Sequence, residues 1–192
     1  MKSIFTSGVI LEYLNQTLIT LIPKCKNLES LTNYRPINLC NTIYKVVTKI
    51  IVVRIRSFLA DLVSPLQSAF VPGRKGVDNA IIVQELIHSM AKKKGRTRVM
   101  TIKLDLEKAY DCLEWNFICD TLKLFRFPSH LISLIMSYVF TTSISILFNG
   151  GALEAFQPSR GIHQGNLLSP YLFILCKEVL GALIEDKGRE RL

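Results

Sequence analysis

Residues 99–111 read Val-Met-Thr-Ile-Lys-Leu-Asp-Leu-Glu-Lys-Ala-Tyr-Asp, and this stretch does most to decide the fold. Apolar and polar residues alternate up to Asp105, which is the period of a strand with one buried face. The pattern therefore predicts a strand from Val99 to Asp105 that ends on an acidic side chain.

The next acidic residue, Asp111, has a different setting. It stands three residues before Glu114, the spacing of a capping box, so the sequence predicts a helix that starts here and continues through Leu122. A helix start gives Asp111 a structural role. Asp105 has no such role and is the better candidate for chemistry.

Along the whole chain, with this stretch as the second strand, the predicted order of elements is strand, long helix, loop, helix, strand, helix, helix, hairpin, helix. That mixture is typical of an α+β fold. The Asn149-Gly150 dipeptide between two apolar runs predicts a tight hairpin turn. The other segments predicted from periodicity are helices over Ile43–Leu62, Asp78–Met90, Ser129–Tyr138 and Tyr171–Leu183, and a strand over Thr141–Phe148.

One cation, Arg54, falls inside the apolar arc of the first long helix at about 100° per residue. Either its aliphatic part lies along the core with the guanidinium at the rim, or the charge is buried or faces a substrate. The sequence leaves both interpretations open.

Charge is unevenly distributed along the 192 residues. Residues 1–103 contain 16 basic and 5 acidic side chains, whereas the remainder contain 8 and 10. The excess favours a polyanionic partner for the first half. Within that half, the basic run from Lys92 to Arg98 fits either a solvated loop tip or a contact with phosphate.

Two other classes of protein are disfavoured. Leu131–Phe148 has 18 residues without a charge, long enough to cross a membrane, but six of them are Ser or Thr and the second half alternates like a strand. Five scattered cysteines without a Cys-x-x-Cys pair do not suggest zinc or a disulfide framework. No secretory signal is recognisable, so we expect an intracellular protein, nuclear or cytoplasmic, with no membrane partner.

Five motifs occur in family order and spacing between about Phe5 and Leu183. They are Leu21–Lys24, Asn33–Ile37, Gln67–Arg74, Lys103–Asp111, and Pro158–Gly161 followed by Gln164-Gly165 and Leu168–Pro170. On these residues the chain resembles the reverse transcriptase domain of non-LTR (LINE-type) retrotransposons, particularly those of plants.

The resemblance implies a right-hand polymerase, with a fingers-like region over residues 1–98 and an incomplete palm over residues 99–192. Asp105 would be the first catalytic carboxylate and a ligand of Mg²⁺ or Mn²⁺, with the Leu106 carbonyl as a second metal ligand. Tyr110 would lie under the incoming sugar and select deoxynucleotides. Its alternative is a core aromatic.

The same resemblance implies the remaining nucleotide-binding residues. Lys24 and Arg35 would grip the triphosphate, and Gln164 and Gly165 would support the templating base and the nucleotide. The expected partners are an RNA template, a DNA primer and deoxynucleoside triphosphates.

The chain also departs from the family pattern. His163, Asn166 and Leu167 stand where the family usually has Arg, Asp and Pro, and the family's Tyr/Phe-x-Asp-Asp motif does not occur. Because one aspartate cannot offset the charge of two metal ions, we expect that this truncated chain alone does not polymerise DNA. The alternatives are a non-catalytic remnant that binds nucleic acid and the non-functional product of a degraded element.

Overall fold

The computed structural model describes residues 2–27, 29–95, 100–163 and 165–189. Within these ranges the chain forms a small mixed sheet and a group of helices, so the predicted α+β class is confirmed. The elements are α1 (Lys2–Ser7), β1 (Gln16–Pro23), β2 (Tyr34–Cys40), α2 (Thr42–Leu62), α3 (Gly76–Lys92), α4 (Trp115–Leu124), α5 (Ser129–Phe140), β3 (Ser143–Phe148), β4 (Gly151–Ala152) and α6 (Ser169–Arg189).

The helix α2 begins where the sequence provides a cap. The side chain of Asn41 accepts a hydrogen bond from the backbone N–H of Ile43 at 2.9 Å, which satisfies one of the free donors at the helix start. Its buried face contacts α6 and, through the stack of Tyr44 on Tyr138, α5. It belongs to one core with α4, α5 and α6 that includes Ile51, Leu59, Leu122, Ile135 and Leu175. The predicted helix over Ile43–Leu62 is confirmed.

Arg54 takes the first of its two predicted positions. The residue is exposed, and its guanidinium lies 5.8 Å from the centroid of the Phe5 ring in α1. The charge therefore stays at the rim and contacts an aromatic face.

The sheet has the strand order β2-β1-β3-β4, in which β1 pairs antiparallel with β2 and parallel with β3. Asn15, just before β1, fixes this junction. Its side-chain amide donates to the carbonyl of Tyr138 at 2.8 Å and to Oγ1 of Thr141 at 2.9 Å. Its backbone carbonyl accepts from the N–H of Ser143 at 3.2 Å. This buried amide joins the start of β1 to the end of α5.

The strand predicted over Val99–Asp105 is not formed in residues 100–105, and residue 99 lies outside the described ranges. Met100, Ile102 and Leu104 are 78%, 67% and 67% exposed. Alternation gives a segment an apolar face, but a strand also needs a hydrogen-bonding neighbour. In the described ranges the sheet is made of other segments, so residues 100–105 have no strand partner.

The capping box predicted at Asp111 is also wrong. The helix α4 begins at Trp115, with Glu114 as its N-cap and no side-chain hydrogen bond at that cap. Residues 107–112 instead form turns that bring Asp111 against the loop around Gly161. A tertiary contact decides the conformation here, and the local spacing does not.

The hairpin turn at Asn149-Gly150 is confirmed. Both residues have positive φ, 48° and 81°, as a type I′ turn requires, and β3 and β4 pair across it. The uncharged stretch before the turn forms α5 and then β3, as predicted. Across the described part of the chain, none of the helices combines the length and hydropathy that crossing a membrane requires.

The helix α3 has an unusual environment. None of its residues is buried, although many of them are apolar. About half or more of the surface of each of these apolar side chains is exposed: Val77, Ile81, Val83, Leu86 and Ile87. The sequence predicted this helix correctly over Asp78–Met90, but the amphipathic pattern does not correspond to a covered face in the described chain.

Candidate active site

Two distant loops meet next to the core. The N–H of Ile162 donates to the carbonyl of Tyr110 and the N–H of Gly161 donates to the carbonyl of Leu113, both at 2.8 Å. The indole Nε1 of Trp115 then donates to the carbonyl of Gly161 at 2.8 Å. Three hydrogen bonds thus join the loop that follows Asp105 to the glycine-flanked loop before α6.

Gly161 makes this contact possible. Its φ is +87°, and a Cβ placed there would lie 2.9 Å from the carbonyl oxygen of Asp111 and 3.1 Å from that of Tyr110. Both neighbours are backbone atoms, so neither can swing away as a flexible side chain would. Glycine is the residue that this close approach of two loops requires.

A cavity of about 690 Å³ lies beside the joined loops. Four parts of the chain form its wall: α2, the loop between α2 and α3, the turns after Asp105, and the segment that leads into α6 together with the first residues of that helix. The lining residues are Lys49, Val52, Val53, Arg56, Phe70, Leu106, Lys108, Ala109, Tyr110, Gly165, Asn166, Leu167, Ser169, Pro170 and Tyr171. The volume suits a ligand of nucleotide size.

Tyr110 is half-buried at this cavity. Its ring stacks on Phe173 of α6 with centroids 5.1 Å apart and planes 24° apart. Partial burial raises the pKa of the Tyr110 hydroxyl. The residue packs against the core, as the alternative interpretation predicted, and it also lines the cavity. Its contact with an incoming sugar stays a prediction.

Three of the predicted site residues share the cavity: Leu106, Tyr110 and Gly165. Asp105 directly precedes Leu106 and is exposed. Gln164 lies outside the described residues. The structure thus brings the two motif loops together, and Asp105 directly precedes one of the lining residues.

Lys24 and Arg35 lie elsewhere. Lys24 follows β1, where its Nζ donates to the carbonyl of Thr32 at 2.8 Å, and Arg35 lies in β2 opposite Ile22. Both are exposed and neither lines the cavity. Their predicted contact with a triphosphate stays a prediction.

The sequence interpretation missed Lys49 and Arg56, the cations that α2 contributes to the cavity. Their spacing in the sequence already indicated that they share a side of the helix, because residues seven positions apart lie on the same side. The sequence did not show which surface this side of α2 faces, because that surface includes residues as far away in the chain as Tyr171.

The loop 63–75 is held in place by Arg74. Its Nη1 donates to the carbonyls of Ser64 at 2.6 Å and Gln67 at 2.8 Å, and its Nη2 donates to the carbonyl of Ala60 at 3.1 Å. A planar fork with several donors suits this arrangement of carbonyls. The fork connects the loop to the end of α2.

We expect Arg74→Lys to lower the free energy of unfolding by about 2 kcal/mol, because an ammonium keeps the charge but loses the fork and leaves carbonyls unpaired. Urea denaturation followed by circular dichroism measures the loss. The neighbouring change Lys75→Gln, at an exposed position, is the control. Equal stability of both variants would contradict the assigned role of Arg74.

A comparison with protein families decides the identity. Residues 22–189 match the family model described as reverse transcriptase (RNA-dependent DNA polymerase). The chain belongs to the reverse transcriptase family. The match contains both loops that meet at Gly161 and every residue that lines the cavity.

Individual relatives place this reverse transcriptase domain among those of non-LTR retrotransposons. It is 28% identical over 191 residues to the transposon TX1 uncharacterized 149 kDa protein of Xenopus laevis, covering 95% of this chain and 14% of that protein. It is 30% identical over 159 residues to the Pol polyprotein of the type-2 retrotransposable element R2DM of Drosophila melanogaster, covering 83% and 15%. The reverse transcriptase chain therefore spans about one seventh of the length of these relatives.

A shorter match comes from a plant. An uncharacterized mitochondrial protein of Arabidopsis thaliana is 50% identical over 46 residues, covering 22% of this reverse transcriptase chain and 38% of that protein.

Two of the departures from the family pattern have clear structural roles. Asn166 is buried, and its Oδ1 accepts from the N–H of Leu168 at 3.0 Å, so its side chain stabilises the turn. His163 is 7% exposed and its Nε2 lies 3.1 Å from Oγ1 of Thr142. Burial lowers the pKa of His163 to about 4.

The oxygen donors near the cavity suit a magnesium ion only in part. The Asp105 carboxylate and the Leu106 carbonyl are hard oxygen ligands of the kind that Mg²⁺ takes, and Mg²⁺ often shares one or two carboxylates with substrate phosphates. No group of three or more His, Cys, Asp or Glu side chains that could hold a metal occurs in the part of the chain that the structure describes. These two donors fit an ion that arrives with a nucleotide.

Proposed function

We propose that this chain forms the nucleotide-side part of a reverse transcriptase active site, with fingers over residues 1–98 and the beginning of the palm over residues 99–192. The observation that supports it is the single cavity shared by Leu106–Tyr110 and Gly165–Tyr171, two motifs that lie far apart in sequence. The loop contact at Gly161 orients them toward each other.

Each site residue has a proposed role. The Asp105 carboxylate and the Leu106 carbonyl would hold Mg²⁺ or Mn²⁺, which when bound activates a primer hydroxyl and neutralises charge on the phosphates. Tyr110 would support the sugar, since its ring is fixed by the stack on Phe173. Gln164 and Gly165 would contact the nucleotide and the templating base.

The proposed partners are an RNA template, a DNA primer and deoxynucleoside triphosphates. The surplus of basic residues in the first 103 positions supports a surface that follows a phosphate backbone. Lys24 and Arg35 belong to this basic surface, and we propose that they contact phosphates of the triphosphate. The match to an Arabidopsis protein supports a plant element as the source, and we propose an intracellular site of action, nuclear or cytoplasmic.

Magnesium-dependent nucleotide binding tests the proposal. We expect the purified chain to bind a fluorescent deoxynucleoside triphosphate more tightly with Mg²⁺ than with EDTA, and Asp105→Asn to lose roughly tenfold in affinity, the effect of one charged contact. Glu107→Gln is the matched control, because it removes the same charge from an exposed residue two positions away. Equal affinities of the two variants would refute the role of Asp105.

Primer extension on an RNA template tests whether the chain by itself polymerises DNA. A single aspartate provides too few ligands for two metal ions, so we expect no extension by the 192-residue chain itself. Extension that Asp105→Asn abolishes would show this expectation to be wrong. Salt-sensitive RNA binding without any magnesium-dependent nucleotide binding would instead favour the non-catalytic nucleic-acid-binding remnant.

A further inference from the structure

Four buried polar groups lie beneath the glycine-flanked loop. They are the hydroxyls of Tyr44 in α2, Tyr138 in α5 and Ser169 at the start of α6, and the side-chain amide nitrogen of Asn166. Each of the four residues is 6% exposed or less. None of these atoms has a hydrogen-bond partner of normal geometry among the described residues. An unpaired polar atom away from water is costly, so native proteins rarely leave several of them together.

The four groups are close enough to act on one another. The rings of Tyr44 and Tyr138 are stacked, with centroids 4.9 Å apart and planes 10° apart. Burial raises the pKa of both phenols. The polar side chain of Asn166 acts in the opposite direction on the pKa of Tyr44, and that of Ser169 does so on the pKa of Tyr138. The structure therefore places Asn166 beside the first hydroxyl and Ser169 beside the second.

The direction of hydrogen bonding in this cluster is fixed by Asn166. Its Oδ1 already accepts from the N–H of Leu168 at 3.0 Å, so Nδ2 is the end of the amide left for the cluster, and it can only donate. A Tyr44 oxygen that accepts from Nδ2 has its own proton left for Tyr138. The Tyr138 proton is then left for Ser169. One continuous chain that runs from the amide through the two phenols to the serine pairs all four groups.

Both ends of this chain belong to the proposed nucleotide cavity. Asn166 and Ser169 line the cavity, and so does the adjacent Gly165. The middle of the chain lies in α2 and α5, whose tyrosines are held by their stack and by burial. Because a buried polar network whose members are all paired is rigid, the two helices support this part of the cavity wall.

We propose that Tyr44 and Tyr138 are positioning residues for the proposed nucleotide site. Their hydroxyls hold Asn166 and Ser169 in one buried hydrogen-bond chain and so fix residues 165–169 at the cavity. Neither tyrosine lines this cavity, so both act through the residues that do. The inference rests on the proposed function and adds two residues that lie outside every sequence motif.

Hydrogen exchange of the loop tests the chain without any ligand. Tyr44→Phe and Tyr138→Phe each keep the stacked ring and remove one hydroxyl. We expect the backbone amides of residues 165–169, followed by mass spectrometry, to exchange about fivefold faster, the effect of one lost hydrogen bond. Peptides from α4 should exchange as in the wild type, because the change is local. Tyr13→Phe, the same substitution at a residue that is 63% exposed, is the matched control.

The double variant distinguishes one chain from two independent contacts. Members of a chain support one another, so Tyr44→Phe/Tyr138→Phe should speed exchange by clearly less than the product of the two single effects. Independent contacts would multiply to about twenty-fivefold. That product, or loop exchange in both single variants equal to that of Tyr13→Phe, would overturn the hydrogen-bond chain.

Nucleotide binding tests the link to the site. We expect both phenylalanine variants to bind the fluorescent deoxynucleoside triphosphate with Mg²⁺ about fivefold more weakly than the wild type, and Tyr13→Phe to bind it equally well. Urea denaturation verifies that each variant is folded. Faster loop exchange with unchanged nucleotide affinity would make the chain purely structural and overturn the positioning role. If the wild type itself shows no magnesium-dependent binding, the proposed function fails and the positioning role with it, whereas the exchange result still decides the hydrogen-bond chain.

Discussion

Replacing Gly161 by alanine is expected to lower the free energy of unfolding by about 3 kcal/mol. A left-handed conformation costs a residue with a Cβ about 1 to 2 kcal/mol, and forcing extra volume into a packed contact costs about 1 to 3 kcal/mol more. Both costs apply here, because φ is +87° and the new methyl would lie 2.9 Å from a carbonyl oxygen and 3.0 Å from the Cα of Asp111. Chemical denaturation of the two proteins gives the difference.

Gly165→Ala is the control that separates the two costs. Gly165 lies in the same loop with nearly the same φ, +84°, but a Cβ there meets no atom within 4 Å among the described residues. We expect this variant to lose only about 1 to 2 kcal/mol, the conformational part. If both alanine variants lose the same amount, the contact at Gly161 is not tight and the fixed junction between the two loops is wrong.

The Gly161 variant should also change ligand binding. Its N–H and carbonyl hold Leu113 and Trp115, so moving it displaces the turns that bring Leu106 and Tyr110 to the cavity. Weaker nucleotide binding by a variant that is still folded under the assay conditions would link the loop contact to the site.

The elements that the sequence predicted well are those that depend on nearby residues. The helix α2 has its apolar arc within 21 consecutive residues and its Asn41 cap directly before them. The turn at Asn149-Gly150 needs only two residues that tolerate positive φ. In both, the local preference and the tertiary environment agree.

The segments where prediction failed depend on distant partners. The alternation in residues 100–105 is real, but pairing decides whether it becomes a strand, and the spacing of Asp111 to Glu114 was overruled by backbone contacts with Gly161. Motif resemblance selected Leu106, Tyr110 and Gly165, and these residues do share a cavity. It did not select Lys49 or Arg56, because periodicity shows which residues share a side of a helix but not what that side faces.

Lowering the pH from 7 to 5 is expected to destabilise the protein by about 2 kcal/mol through His163 alone, and by about 3 kcal/mol once the pH reaches 4. Burial lowers the pKa of His163 from 6.5 to about 4 in the folded state. Between these values the unfolded chain binds a proton that the folded protein excludes. Stability is therefore full above pH 6.5 and is lost as the pH falls toward the folded pKa.

His163→Gln isolates this contribution, because a neutral amide of similar polarity does not titrate. Urea denaturation at several pH values measures the stability of the variant. Between pH 7 and pH 5, its free energy of unfolding should fall by about 2 kcal/mol less than that of the wild type. The exposed His88 on α3 provides the control His88→Gln, which should keep the pH dependence of the wild type.

His163 also lies close to the loop junction at the site. His163 lines a second cavity of about 300 Å³ together with Asp111, Arg160 and Gly161, and this cavity shares no lining residue with the proposed nucleotide cavity. Protonation of the buried imidazole places a charge away from water beside the junction that Gly161 closes, which costs solvation free energy. If His163→Gln leaves the pH dependence unchanged, this imidazole is accessible to solvent and its burial beside Thr142 is wrong.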